Sequence, residues 1–393
     1  MKKHHFIKLS LAASVLASGT AIASEDTESK IANLESQVAA LREDVKSNNL
    51  DTLSKLHMAG YSNVDFIGGS DRQEDGFTAA RFAPIFHFQF SDTVLFEGEL
   101  EIETNADGET EIATEYATID LILTDYMALV AGKFLSPIGQ FRQNVHPSWI
   151  NKLPTAPVGF GHGGAAPLSD LGVQLRGGIP LSGSMRANYA LFTSNGPTLL
   201  VDGHGDEVEL EMETEAASSN ADGNFVYGGR VGFLPVPALE LGLSGALGKV
   251  GVGEGHDVSE LAAGEPDRDY TVLGADAIYN LDTLQLRGEF IQQTVGSEAN
   301  STIADGAVTG ELDFTAWYAQ AAYRLPDTKW EGVARVGDLD TPNADANRSQ
   351  WSVGVNYLFA NHVIIKAAYT VDDYDDNAID DDERFNVQLA YGF

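Results

Sequence analysis

The chain has 393 residues, 24 Lys plus Arg against 58 Asp plus Glu, and no Cys. A net charge of −34 argues against a nucleic-acid partner, whose phosphates need a basic footprint, and the lack of Cys excludes disulfides, thiol chemistry and thiolate metal sites. Past the N-terminus no window carries the roughly 20 apolar residues of a spanning helix. Any membrane crossing must then use strands, which cross only as a closed barrel with every backbone group paired.

Residues 1–23 read as a secretory leader: Lys2, Lys3 and Lys8 start it, Leu9 to Leu16 form a short apolar run, and Ala21-Ile22-Ala23 offers a small-residue cleavage pattern. Its removal would leave an exported chain more acidic still. Residues 24–56 are a different material. Ile31, Leu34, Val38, Leu41 and Val45 alternate at spacings of three and four, a heptad seam, with charges on the other faces. Asn48 and Asn49 interrupt it before Leu50, Leu53 and Leu56 resume. So short a helix needs a partner for its apolar face, either a coiled coil joining identical subunits or a helix lying on its own barrel, here placed in the periplasm.

From residue 57 to 393 the chain becomes alternating segments of about ten residues, the dyad pattern of strands with one face toward lipid and one toward water. In Arg81–Phe90 one parity holds Phe82, Phe86, Phe88 and Phe90, the other Arg81, His87 and Gln89. In Val94–Glu103, Phe96, Leu100 and Ile102 alternate with Glu97, Glu99, Glu101 and Glu103. Those carboxylates must face water, because a charge in lipid costs up to several kcal/mol at mid-depth. The same parity rule turns Arg186, Arg230, Arg287, Arg324 and Arg335 inward with Lys133, Arg176 and Lys366, beside Glu115, Asp276, Glu289 and Glu331. We count about sixteen such strands, giving an all-β fold: a transmembrane antiparallel β-barrel preceded by the helical segment. Short turns fall near Ser91-Asp92, Thr124-Asp125, Pro180–Ser184, Pro235–Pro237, Leu281–Thr283, Pro326–Thr328 and Phe359–Asn361. They alternate with longer polar connections, which places the short turns in the periplasm.

The third long connection, 136–170, is neither acidic nor hydrophilic. It carries Pro137, Ile138, Phe141, Trp149, Ile150, Leu153, Val158 and Phe160, and apolar residues in so long a loop imply burial against something. The lumen of a wide barrel offers that place; an external cap or subunit contact is the alternative. Lys133, Arg142, Lys152 and Arg176 stand against the single acid Asp170 across this stretch. With His146 they make a locally positive pore constriction if the loop folds inward, which predicts weak anion preference or near-neutral selectivity.

Elsewhere the acid concentrates in connections: Asp202–Asp222 and Asp372–Glu383 each hold eight acidic residues and no Lys or Arg. Neither shows the spaced ligand pattern of a dedicated calcium loop, the His residues are scattered, and no metal site or cofactor is expected. Gly159-x-Gly161-x-x-Gly164 matches a dinucleotide string, but no helix pattern follows it and Pro167 comes at once. No catalytic motif is evident, so no enzyme is expected.

The chain ends Arg384-Phe-Asn-Val-Gln-Leu-Ala-Tyr-Gly-Phe393, one parity wholly apolar and the other polar or small. This terminus, with Tyr391 and Phe393, resembles the assembly signal read by the barrel-assembly machinery of bacterial outer membranes. Gly132-Lys133-Phe134-x-x-Pro137-Ile138-Gly139 resembles the pore-loop start of the phosphate-selective porin O/P family. Asp170-x-Gly172-Val173, Tyr189-Ala190-Leu191-Phe192 with Asn195-Gly196, Tyr318–Tyr323 and Gly354–Leu358 add to the likeness over roughly residues 57–393. The resemblance implies a sixteen-stranded homotrimeric barrel in outer-membrane lipid, with its third loop narrowing a water-filled channel. Small hydrophilic solutes and ions would diffuse through it, anions such as phosphate among them. The alternative is a non-conducting adhesin or receptor barrel displaying acidic loops.

Overall fold

The computed structural model describes residues 55–393 except 71–74, 105–107, 205–206, 216–219, 256–260, 302–308 and 377, with Ser36 alone before them. The leader and the heptad segment lie outside the described residues. Among the described residues nineteen strands follow in chain order. β1 (Leu56–Gly68), β2 (Gly76–Ser91), β3 (Val94–Thr104), β4 (Thr110–Thr124) and β5 (Met127–Leu135) come before the third connection. Then come β6 (Ser169–Pro180), β7 (Arg186–Ser194), β8 (Thr198–His204), β9 (Glu207–Glu213), β10 (Val226–Val236), β11 (Leu239–Val250) and β12 (Val252–Glu254). The set ends with β13 (Arg268–Leu281), β14 (Leu284–Val295), β15 (Leu312–Arg324), β16 (Trp330–Asp340), β17 (Arg348–Ala360), β18 (Val363–Tyr374) and β19 (Asp382–Gly392).

Sixteen of them, all but β8, β9 and β12, form one closed antiparallel barrel in which chain neighbours are sheet neighbours. Closure is made by the two ends of the chain. β1 pairs with β19 from Tyr61 opposite Gly392 to Gly68 opposite Phe385, and Gly60 and Phe393 exchange both backbone hydrogen bonds at 3.0 Å. No edge is left open in the wall, which is the condition for strands to sit in lipid. All seven short turns expected from the sequence join barrel strands at one end, where both chain termini of the barrel also lie. One of the two-residue turns, Asp282-Thr283, puts Asp282 at φ 31°, a conformation that Asp tolerates better than most residues.

The burial pattern is that of a soluble protein turned inside out. In β19, Phe385, Leu389 and Tyr391 are exposed on the outer face, while Asn386, Gln388 and Ala390 are buried inside. In β17, Trp351, Val353 and Val355 face out, against Ser352 and Asn356 within. Polar side chains packed away from solvent must find hydrogen-bond partners, and here the partners come from nearby strands and from the third connection.

β8, β9 and β12 form a small separate sheet, with β8 antiparallel to β9 and parallel to β12. This corrects the reading of Asp202–Asp222 as an open polar connection. Leu199, Val201, Leu210 and Met212 are buried and join Phe160, Val250, Val295, Phe314 and Leu339 in one apolar cluster. Asn343 clips the sheet in place: Leu210 N–H donates to its Oδ1 at 2.9 Å and its amide donates back to Leu210 O at 2.8 Å.

Candidate pore and its lumen loop

Residues 136–168 leave the wall after β5 and return at β6. Their neck is closed by Ser136 N–H donating to Leu168 O at 3.0 Å. Gly139 takes a left-handed φ of 75° and leads into a single π-helical turn, Phe141–Val145, closed by His146 N–H on Phe141 O at 2.9 Å. Ile138, Phe141, Val145, Leu153, Val158 and Phe160 are all buried. Phe141, Phe160 and Tyr318 of β15 meet edge to face, with centroids 4.9–6.3 Å apart.

The wall makes room for these knobs with glycines. A Cβ on Gly337 would lie 3.2 Å from Val158, one on Gly354 2.8 Å from Leu153, and one on Gly392 2.7 Å from Trp149. The Gly392 that reads as part of the C-terminal alternation is therefore also the seat of the loop's tryptophan. The glycine-rich string has the same kind of role. Gly159 sits at φ 76° against Ala316, Gly164 packs on the Gly159 backbone, and Ala166 N–H donates to Gly159 O at 3.0 Å. The spacing serves close approach of main chains, which only glycine permits.

Polar anchors fix the same segment from strand to strand. Gln140 N–H donates to Glu289 at 2.8 Å and Gln293 donates to Ala165 O at 2.6 Å, both from β14. Arg287 donates to Asn151 Oδ1 at 2.9 Å, while Arg335 of β16 donates to Thr155 O at 2.9 Å and Ala156 O at 2.8 Å. Lys366 of β18 is fully buried and donates to Ser148 O, to Leu153 O at 3.5 Å and to Gln388 at 2.7 Å. Asn356 reaches Lys152 O at 2.9 Å, and Lys152 pairs with Glu331 at 3.0 Å. This corrects two assignments made from parity. Arg287 and Arg335 point inward, but they lie beneath the loop with their hydrogens on its carbonyl and amide oxygens, so they do not line an open lumen.

The facing wall, β2 to β6, is where charge meets the cavity. A β-bulge between Glu99 and Leu100 sets Tyr116 opposite Glu99, and Glu115 and Tyr116 are both at least partly buried. Arg142 of the π-turn pairs with Glu115. Arg176 pairs with Asp120 at 2.5 Å and Glu97 at 3.0 Å. Arg81 pairs with Glu103 at 2.5 Å and Glu101 at 3.2 Å. Arg230 is held by Asp276 at 2.6 Å and Glu240 at 3.0 Å. Lys133 does not share the inward parity. Its neighbours Val130 and Phe134 stand opposite Asp120, Gln174 and Asp170, whereas Lys133 stands opposite Ala117 and Leu171 and bonds Glu215 at 2.8 Å. Glu213, beside it in the small sheet, has its carboxyl pushed above the ordinary range by burial, partly offset by the Glu215 backbone N–H at 2.7 Å. Arg186 and Arg324 are exposed at the short-turn end, where Arg186 donates to the carbonyls of Gly183 and Met185.

The excess of basic residues counted along the loop does not survive this arrangement. Lys133, Arg142, Lys152 and Arg176 each meet a carboxylate that the sequence places far away: Glu215, Glu115, Glu331, and Glu97 with Asp120. Below the loop lies a cavity of about 1000 Å³, reaching the short turns and lined by Glu97, Glu99, Arg176, Arg230 and Glu240 with the loop residues Gln140, Asn144 and His146. His146 Nδ1 donates to Arg142 O at 2.5 Å, which turns the other ring nitrogen, Nε2, toward Glu99 Oε1 at 3.7 Å. Among the described residues no group of three or more His, Asp or Glu side chains is arranged to hold a metal ion.

Comparison with known families matches residues 258–393 to "Phosphate-selective porin O and P". No curated protein matches the sequence. Among solved structures, the anion-selective porin of Comamonas acidovorans is 14% identical, with a TM-score of 0.56 over 86% of this chain and 99% of its own. Salmonella typhi OmpF in complex with daunomycin is 13% identical, with a TM-score of 0.54 over 86% and 97%. The trimer form of Vibrio cholerae OmpT is 12% identical, with a TM-score of 0.52 over 86% and 99%. Likeness at such identities establishes the fold alone. Family match and fold together point to a channel rather than an enzyme. With a closed sixteen-stranded wall and its last third matched to that family model, the chain is similar to the phosphate-selective porin O and P family.

Proposed function

We propose that small hydrophilic solutes and ions diffuse passively through this barrel and that the loop, residues 136–168, sets its narrowest part. The observation that carries the reading is a polar cavity of about 1000 Å³ inside a closed wall, roofed by that loop. At the level of the loop the inward side chains Ala83, Glu99, Gln174, Ser352 and Asn356 are all buried. The passage is therefore tight, and its unit conductance is expected to be small for a barrel of this size. Arg142 and His146 hang from the loop at that level and Arg176 stands below it, while Lys152 is spent anchoring the loop to β16.

Short turns face the periplasm in this reading. Three copies assemble through their outer walls. Outer-membrane lipid meets the remaining apolar face, and the terminal Tyr391 and Phe393 present the chain to the barrel-assembly machinery. Purified protein added to a planar lipid bilayer should give discrete current steps; a correctly folded barrel that stays silent would refute the channel.

A further inference from the structure

We propose that the carboxylate row of β3 makes this channel prefer positively charged solutes, with Glu99, Glu101 and Glu103 setting the sign. The inference rests on the diffusion-channel reading above. On the wall facing the loop, β3 and β4 present Glu97, Glu99, Glu101, Glu103, Glu115 and Asp120. The cations bonded to them are Arg81, Arg142 and Arg176. Arg81 and Arg176 are each shared by two carboxylates and Arg142 is bonded to one, so six carboxylates face three guanidinium groups and the row keeps an excess of negative charge. The loop's other cation, Lys152, is spent on Glu331 across the barrel.

Glu99 is the informative member. Its side chain is 1% exposed, it lines the roof of the cavity, and Oε1 has no hydrogen-bond partner. His146 Nε2, 3.7 Å away, is also unpartnered, while Nδ1 donates to Arg142 O. A buried carboxylate oxygen without a donor is an arrangement that a proton donor or a cation relieves and an anion worsens. Above and below this point Glu97, Glu101 and Glu103 remain partly exposed, so a solute moving along β3 meets carboxylates at successive heights. Low-dielectric walls focus that charge on the passage.

Full-length protein in planar bilayers under a KCl gradient tests this. The reversal potential should give K⁺ permeability over Cl⁻ of about sevenfold, since one unscreened charge roughly 7 Å away at the dielectric constant of water favours the cation and disfavours the anion by about threefold each. Replacing Glu99, Glu101 and Glu103 together with Gln should bring the ratio to about one or below. Asp375, Asp376 and Asp380→Asn, in the outer connection between β18 and β19, should leave the sign unchanged. Heat-modifiable gel mobility reports folding, and if the triple Gln variant fails to fold, Glu101→Gln alone should still lower the ratio. Chloride preference in the parent, or a folded Gln variant with the parental ratio, overturns the proposal. A silent barrel would overturn the channel reading itself, whereas a conducting channel of the wrong sign removes only this inference.

Discussion

Replacing Lys366 with Met asks how firmly the loop is held to the wall. Met keeps nearly the same length and volume, so the change removes an amine and little packing. In the parent that amine is fully buried in β18 and donates to Ser148 O, Leu153 O and Gln388 Oε1. The contact to Leu153 is 3.5 Å and contributes little, whereas the other two are full hydrogen bonds. Leaving a buried acceptor unsatisfied costs about 1–3 kcal/mol. Gln388 also donates to Pro154 O at 3.3 Å and can reorient, so the Ser148 carbonyl carries most of the loss. Assigning about 2 kcal/mol to loop docking raises the undocked population roughly thirtyfold, since 1.4 kcal/mol is a factor of ten. Single-channel recording should then show frequent excursions to a larger conductance, in a protein whose barrel still migrates as folded. If folded Lys366→Met gave the parental current trace, the loop would not be held by these bonds.

Gly354→Leu fills the wall hollow under Leu153, where even a Cβ comes within 2.8 Å. It should cost about 1–3 kcal/mol of overpacking, seen as a noisier and larger current and a lower melting temperature. Asn343→Ala removes both hydrogen bonds to Leu210 and should destabilise docking of the β8–β9 hairpin by about 1–3 kcal/mol, measured as faster proteolysis within residues 198–213 with the barrel intact.

Much of the wall could be read from the chain because a strand's face is a local property. The seven short turns, the strands between them and the Phe385-to-Phe393 alternation follow from side chains that must choose lipid or water every second residue. The same rule should have found β9. Glu207-Val-Glu-Leu-Glu-Met-Glu213 alternates perfectly, but its acid content reads as a solvated connection. Its apolar parity needs the small cluster around Phe160 and Phe314, whose members come from distant connections and strand ends. Lys133 misled for the opposite reason. A charged residue flanked by apolar ones suggests an inward charge, yet near the end of the short strand β5 its register departs from the inward parity and its amine is bonded to Glu215.

Charge is where sequence reading falls furthest short, and the reason is physical. A loop's net charge, summed along the chain, describes its field only if its partners are water. Once the loop enters a barrel, every basic group is brought beside wall residues up to 179 positions away, as Lys152 is to Glu331. Desolvating an unpaired Lys or Arg would cost several kcal/mol, so a loop that carries Arg142 and Lys152 can dock only where carboxylates wait for them. The sequence shows such a wall, the Glu row of β3 with Glu115 and Asp120, but not its height relative to the loop. The structure supplies that height, and the proposed cation preference follows from it. Cations in the loop are what let it dock, and the carboxylates left over after docking are what a passing ion meets.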